Sequence, residues 1–206
     1  SSIMNNIFSK KYRNRDTDRN RDTVPNLDYQ EATHDIIKAK CFTLLAMKKY
    51  SECVTHIKNK ISTWNLDTTT VSLLYGEFSK ILWDAEEYKE VINLLEWITQ
   101  QDVSQWFFSP TIVLLAFAYM KENMFSKAID TFHIALENNY PKEGVWHIYY
   151  DLWLCYYKIK DYNNAKKYYN LALENNPPKN NVDNIHAELF RLGISSTVNK
   201  IVWFFK

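Results

Sequence analysis

Apolar and polar residues alternate along the chain in blocks of helical period, most clearly near its centre. From Thr111 to Met120 almost every residue is apolar, and Lys121, Glu122 and Asn123 then break the run. An amphipathic segment follows from about Met124 to Glu137 and closes before Asn138, Asn139 and Pro141. A residue preceding proline is steered out of the helical region, so the helix has to stop there. At the other end Pro110 suits a first helical turn, with Ser109 as its cap. Ser109 to Pro141 therefore reads as one helix–turn–helix unit, and Val145 to Pro177 repeats the pattern.

The same alternation extends towards the N-terminus. Ile36, Ile37, Leu44 and Leu45 fall on a helical period from Asp28 onward. Lys48 and Lys49 separate that segment from an amphipathic stretch, Tyr50 to Ile61. After a connector from Trp64 to Thr70, Val71 to Trp83 and Tyr88 to Trp97 form another pair, split by Asp84 to Glu87. Beyond Pro177 and Pro178 a helix is expected from about Asp183 to Leu192, with Gly193 ending or bending it.

Aligning the breaks exposes a period. Tyr50, Tyr88, Phe125 and Tyr162 open the second helices, and Cys53, Val91, Ala128 and Ala165 stand three places later. The spacings of that second set are 38, 37 and 37 residues. A steady period of helix pairs is the mark of an α-solenoid.

Composition agrees with helices. Three Gly and five Pro among 206 residues are too few for a many-turned sheet protein, and 46% hydrophobic residues suffice for a core. The net charge of +1 supplies no general attraction to nucleic acid or anionic membranes. The longest apolar run falls well short of the ~20 residues that span a bilayer. Cys41, Cys53 and Cys155 form no CxxC pair, and an odd count points to a reducing, intracellular location, cytoplasmic or nuclear. No signal peptide is visible in Ser1 to Lys11.

Residues 1–27 form a polar, charged arm in which Arg13 to Thr17 recurs as Arg19 to Thr23. Its ordinary reading is a solvated segment. The sharper reading is an RNA-contacting arm through Arg13, Arg15, Arg19 and Arg21, weakened by the interspersed Asp residues. Catalysis has no visible constellation. The five histidines are scattered singly, no HExxH or phosphate-loop spacing occurs, and no cofactor or metal is expected. The cysteines read most simply as buried small residues, with Cys41 and Cys53 facing each other.

The repeats resemble the tetratricopeptide repeat family, whose unit is ~34 residues. Ile112, Leu115, Ala116, Tyr119, Phe125, Ala128, Phe132 and Ala135 match its pattern in the third repeat, with Pro141 one place late. Tyr149, Leu152, Tyr156, Tyr162, Ala165, Tyr169, Ala172 and Pro177 match it in the fourth. The first two repeats match less, with Cys41, Cys53, Ser79 and Val91 at the small positions. Trp153 stands where Gly or Ala is expected, which predicts a wider or shifted fourth repeat. The resemblance implies an all-α, right-handed α-solenoid of about four helix–turn–helix repeats, over residues 33–66, 71–103, 109–141 and 146–178. Residues 179–206 would add a capping helix or a partial fifth repeat.

In that family the first helices line a concave groove. The matching positions are Phe42 and Leu45 in repeat one, and Leu73, Lys80 and Trp83 in repeat two. Repeat three offers Val113, Leu114, Phe117 and Met120; repeat four offers Tyr150, Leu154 and Tyr157, with His147 and Asp151 beside them. Lys38 and Glu77 also lie in this register, and no cationic clamp for a C-terminal carboxylate can be assembled from it. The implied function is a non-catalytic protein–protein interaction module, a scaffold or adaptor that binds a partner segment within a larger assembly. A homodimerising scaffold subunit and an RNA-associated protein are the alternatives. Neither a small-molecule substrate nor a transmembrane segment is expected.

Overall fold

A computed structural model of the chain describes residues 25–64, 66–100, 108–138, 140–175, 177–179, 181 and 187. Eight α-helices follow one another among them, without a strand. They are α1 (Pro25–Ala46), α2 (Tyr50–Thr63), α3 (Thr68–Asp84), α4 (Tyr88–Thr99), α5 (Phe108–Lys121), α6 (Phe125–Glu137), α7 (Val145–Lys158) and α8 (Tyr162–Glu174). A short 3-10 turn, Lys142–Gly144, leads into α7. Each odd helix packs on the even helix after it, α4 packs on α5, and α6 packs on α7. The fold is all-α, four helix–turn–helix units stacked in chain order. The arm residues Arg13, Arg15, Arg19 and Arg21 and the expected C-terminal helix lie outside the described residues.

Two boundaries differ from the sequence expectation. Helix α1 begins at Pro25, inside the stretch read as arm, because proline needs no partner for a missing N–H in the first turn. Helix α5 begins at Phe108, so Ser109 lies within its first turn and does not cap it.

The four turns inside the pairs are built alike. Lys48, Glu86, Asn123 and Lys160 all have positive φ, between 56° and 64°. The N–H of each bonds back three residues: Lys48 to the Leu45 carbonyl at 2.9 Å, Lys160 to that of Tyr157 at 3.0 Å. The next N–H reaches back five, as from Lys49 to Leu44 at 2.8 Å and Met124 to Tyr119 at 2.8 Å. This pair of bonds is the Schellman closure of a helix, which satisfies carbonyls left open at its end. Glycine usually occupies the left-handed position; here none of the four is glycine.

Beyond each turn the first bond of the second helix falls on the small residue. The N–H groups of Cys53, Val91, Ala128 and Ala165 donate to the carbonyls four residues back, and all four side chains are fully buried. Short side chains at a crossing let two helix axes approach closely. Trp153 is fully buried as well. Its turn keeps the common register, so no shift occurs there. Comparing repeats explains how the indole fits. In repeat three, small Ala116 precedes large Phe117, whose ring meets Phe132 edge-on at 5.5 Å. In repeat four the sizes exchange: large Trp153 precedes Leu154 and meets Tyr169, the counterpart of Phe132, edge-on at 5.5 Å. Cores tolerate such exchanges when total volume is kept.

Candidate interaction groove

The first helices α1, α3, α5 and α7 present the positions expected to bind a partner. On α1, Phe42 is 44% exposed and its ring lies 5.7 Å from that of Phe78. Leu45 and Leu73 are half-buried. Charges in this half are paired within the chain. Lys38 Nζ meets Glu77 Oε2 at 2.8 Å, joining α1 to α3, and Lys80 Nζ meets Asp84 Oδ2 at 2.9 Å. Lys38 is therefore already neutralised and offers no free cation to a carboxylate. Trp83 is half-buried against the edge of Tyr88, at 5.0 Å.

The second half is apolar and aromatic. Phe117, Met120, Tyr150, Leu154 and Tyr157 are all half-buried. Tyr150 packs on Trp153 at 5.3 Å, and Tyr157 on Tyr162 at 5.7 Å. Val113 and Leu114 are placed differently: at 8% and 7% exposure they are covered by the chain itself. Helix α5 packs against both α4 and α6, and Ile112, Leu115 and Ala116 are buried with them. These two residues thus leave a partner little surface.

Asp151 lies between Tyr150 and Leu154 in this row, only 9% exposed. Among the described residues no donor or cation pairs with it. Burial pushes its carboxyl up to about 8, because a buried charge loses its hydration. The hydroxyl of Tyr140 and the thiol of Cys155 are raised by burial first and then by the nearby Asp151 charge. His147, one turn earlier, is lowered by burial.

A second row, which sequence reading missed, joins the repeats on their second helices. Lys58, Glu96 and His133 occupy one register position, 38 and 37 residues apart, and each makes a polar contact to the next repeat. Lys58 donates to Asn93 Oδ1. The hydroxyl of Tyr119 donates to Glu96, and Lys127 Nζ reaches the same carboxylate at 3.1 Å. The Tyr119 hydrogen bond, then Lys127, holds the Glu96 carboxyl below its usual range. His133 Nε2 lies 3.3 Å from the hydroxyl of Tyr156, the counterpart of Tyr119. The signal was present in the shared spacing of Tyr119 and Tyr156. A pocket of about 490 Å³ opens between α4, α5 and α6, lined by Glu96, Tyr119, Thr131 and Ile134 among others.

The three cysteines are free and buried, and Cys41 and Cys53 are neighbours across α1 and α2. No group of three metal-ligating side chains occurs among the described residues. None of the described helices is long and apolar enough to cross a membrane.

No protein-family model matches the chain, and no curated protein is similar to it in sequence. Solved structures of similar shape include pilF of Pseudomonas aeruginosa, at 11% identity over 85% of this chain and 90% of that one, TM-score 0.46. Another is PlcR of Bacillus thuringiensis, solved with the peptide PapR7 and DNA, at 15% identity over 89% and 71%, TM-score 0.46. A third is BtubC of P. vanneervenii, at 18% identity over 73% and 57%, TM-score 0.34. At such scores the architecture rests on this chain's own helices and turns.

Proposed function

We propose that residues 28–178 form a tetratricopeptide-like module of four repeats that takes a protein segment along the row on α1, α3, α5 and α7. One observation carries the reading. Large apolar side chains stay half-buried or exposed at matching places on these first helices, as in Phe42, Trp83, Phe117, Met120, Leu154 and Tyr157. Monomers seldom leave a contiguous apolar patch of that kind uncovered. Burying one such side chain contributes ~1.5–3 kcal/mol, so a handful makes a specific contact. The module is non-catalytic and serves as a scaffold or adaptor. Three free buried thiols fit a reducing compartment, cytoplasmic or nuclear.

The test uses 12-residue random peptides displayed on phage and selected against the full chain. Met120→Glu and Leu154→Glu are expected to weaken the selected peptides at least ~tenfold, about 1.4 kcal/mol, with helical circular dichroism unchanged. Failure to select any peptide, or variants that bind as well as the wild type, would overturn the reading. A molecular mass that rises with concentration, and ceases to do so in these variants, reassigns the row to self-association.

A further inference from the structure

We propose that the segment bound in this row carries a lysine or arginine whose cationic head pairs with Asp151. The proposal rests on the reading of the row as a segment-binding surface and specifies the chemistry of its occupant.

The argument starts from charge accounting along the row. Lys38 is paired with Glu77 and Lys80 with Asp84, so the first two repeats present no unsatisfied charge at those positions. Asp151 differs: nine-tenths of it is buried, and no donor or cation of the described residues answers it. A carboxylate in that position is costly unless it is paired or gives up its charge. Its nearest polar neighbours, Tyr140 and Cys155, are neutral groups that it pushes further from ionising. They cannot serve as counter-ions. The missing partner must be a cation, and it must come from outside the described residues.

The surroundings narrow the choice. One carboxylate does not make a metal site, and no second metal ligand joins it among the described residues. The neighbouring row positions are Tyr150, Leu154 and Tyr157, which suit the apolar stem of a Lys or Arg side chain. Aromatic rings nearby add attraction for the cationic head. An acidic segment would be repelled at the same place. Without a cation, Asp151 is largely protonated at neutral pH. Arrival of the base ionises it, so binding transfers one proton from the carboxyl to the solvent.

The experiment starts from peptides selected as above at pH 7. The tightest is synthesised with its basic residue and with Met in its place, and each is titrated by calorimetry into wild type and Asp151→Asn. The selected peptides are expected to share a Lys or Arg at one fixed position. Replacing it with Met should weaken binding at least tenfold on the wild type and less than twofold on Asp151→Asn. Wild-type binding heat should also vary with the ionisation enthalpy of the buffer, reporting proton release, and that dependence should vanish in the variant. An equal loss on both proteins overturns the pairing. Selected peptides without a common base overturn it too, while leaving the segment-binding reading intact. Failure to select any peptide overturns both. If Asp151→Asn does not fold, the Met substitution and proton release on the wild type decide alone.

Discussion

The two halves of the repeat array share one scaffold and differ in the face they present. Repeats one and two place charge on their first helices and pair it within the chain, as Lys38 with Glu77 and Lys80 with Asp84. Repeats three and four place Phe117, Met120, Tyr150, Leu154 and Tyr157 there, and leave Asp151 buried without a partner. Beneath that difference the turns at Lys48, Glu86, Asn123 and Lys160 have the same backbone and the same two hydrogen bonds. Turn and crossing positions therefore define the array, and the first-helix surface is free to vary. Internally paired charge offers a ligand little, because new pairing must first break the old one. The unsatisfied chemistry, and so the binding energy, collects in the second half.

The comparison breaks first at the scaffold. Cys53→Glu and Ala128→Glu occupy the same fully buried crossing in different halves. Each should cost more than ~3 kcal/mol and unfold its repeat in a urea titration, since the carboxylate has no counter-ion there. If one half tolerates the change, the shared scaffold is wrong.

The next effect belongs to the second half alone. The Asp151 carboxyl is raised from an ordinary 3.8 to about 8. Across that window the folded chain keeps a proton that the unfolded chain has lost. Stability should accordingly fall as pH rises from about 4 to 8 and level off above. Asp151→Asn should remove this component, stabilising the protein at pH 9 by ~1–3 kcal/mol in denaturant unfolding. A variant with the same pH profile as the wild type would show that Asp151 has a partner after all.

Smaller gains should appear alike in both halves. Lys48→Gly, Glu86→Gly and Lys160→Gly relieve a left-handed backbone and should each stabilise by ~1 kcal/mol. Asn123→Gly should add less, because asparagine tolerates that region. Unequal gains at the first three sites would mean that the turns are not equivalent. Least of all, Lys38→Met should shift the unfolding midpoint by under ~1 kcal/mol, since surface ion pairs contribute little. Lys38 and Glu77 keep 26% and 34% of their side-chain surface exposed, so solvent screens the pair. A larger loss would make this pair a structural clamp between α1 and α3.

Much of the architecture was legible beforehand. The helix pairs, their three-residue breaks and the 37–38 residue period all lie in the local order of apolar, polar and small residues. The expected cap at Ser109 failed because Phe108 already continues the helix, and apolar residues carry no start signal of their own. The position of Trp153 pointed to a distorted repeat, yet Leu154 supplies the compensating loss of volume one place later. That exchange is visible only when the ring of Tyr169 is seen to stand where Phe132 stands one repeat earlier.

Sequence alone determined the period, the element type and the register of the first-helix row, because these depend on residues within one or two turns of each other. Tertiary structure decided which members of that row stay open. Val113 and Leu114 are as apolar as Phe117 and Met120, but α4 and α6 close over α5 and cover them. It also decided the fate of the charges. Lys38 and Glu77 stand 39 residues apart and meet, whereas Asp151 finds no cation among the described residues. Burial and ion pairing depend on neighbours far away in the chain, and a local pattern does not contain them.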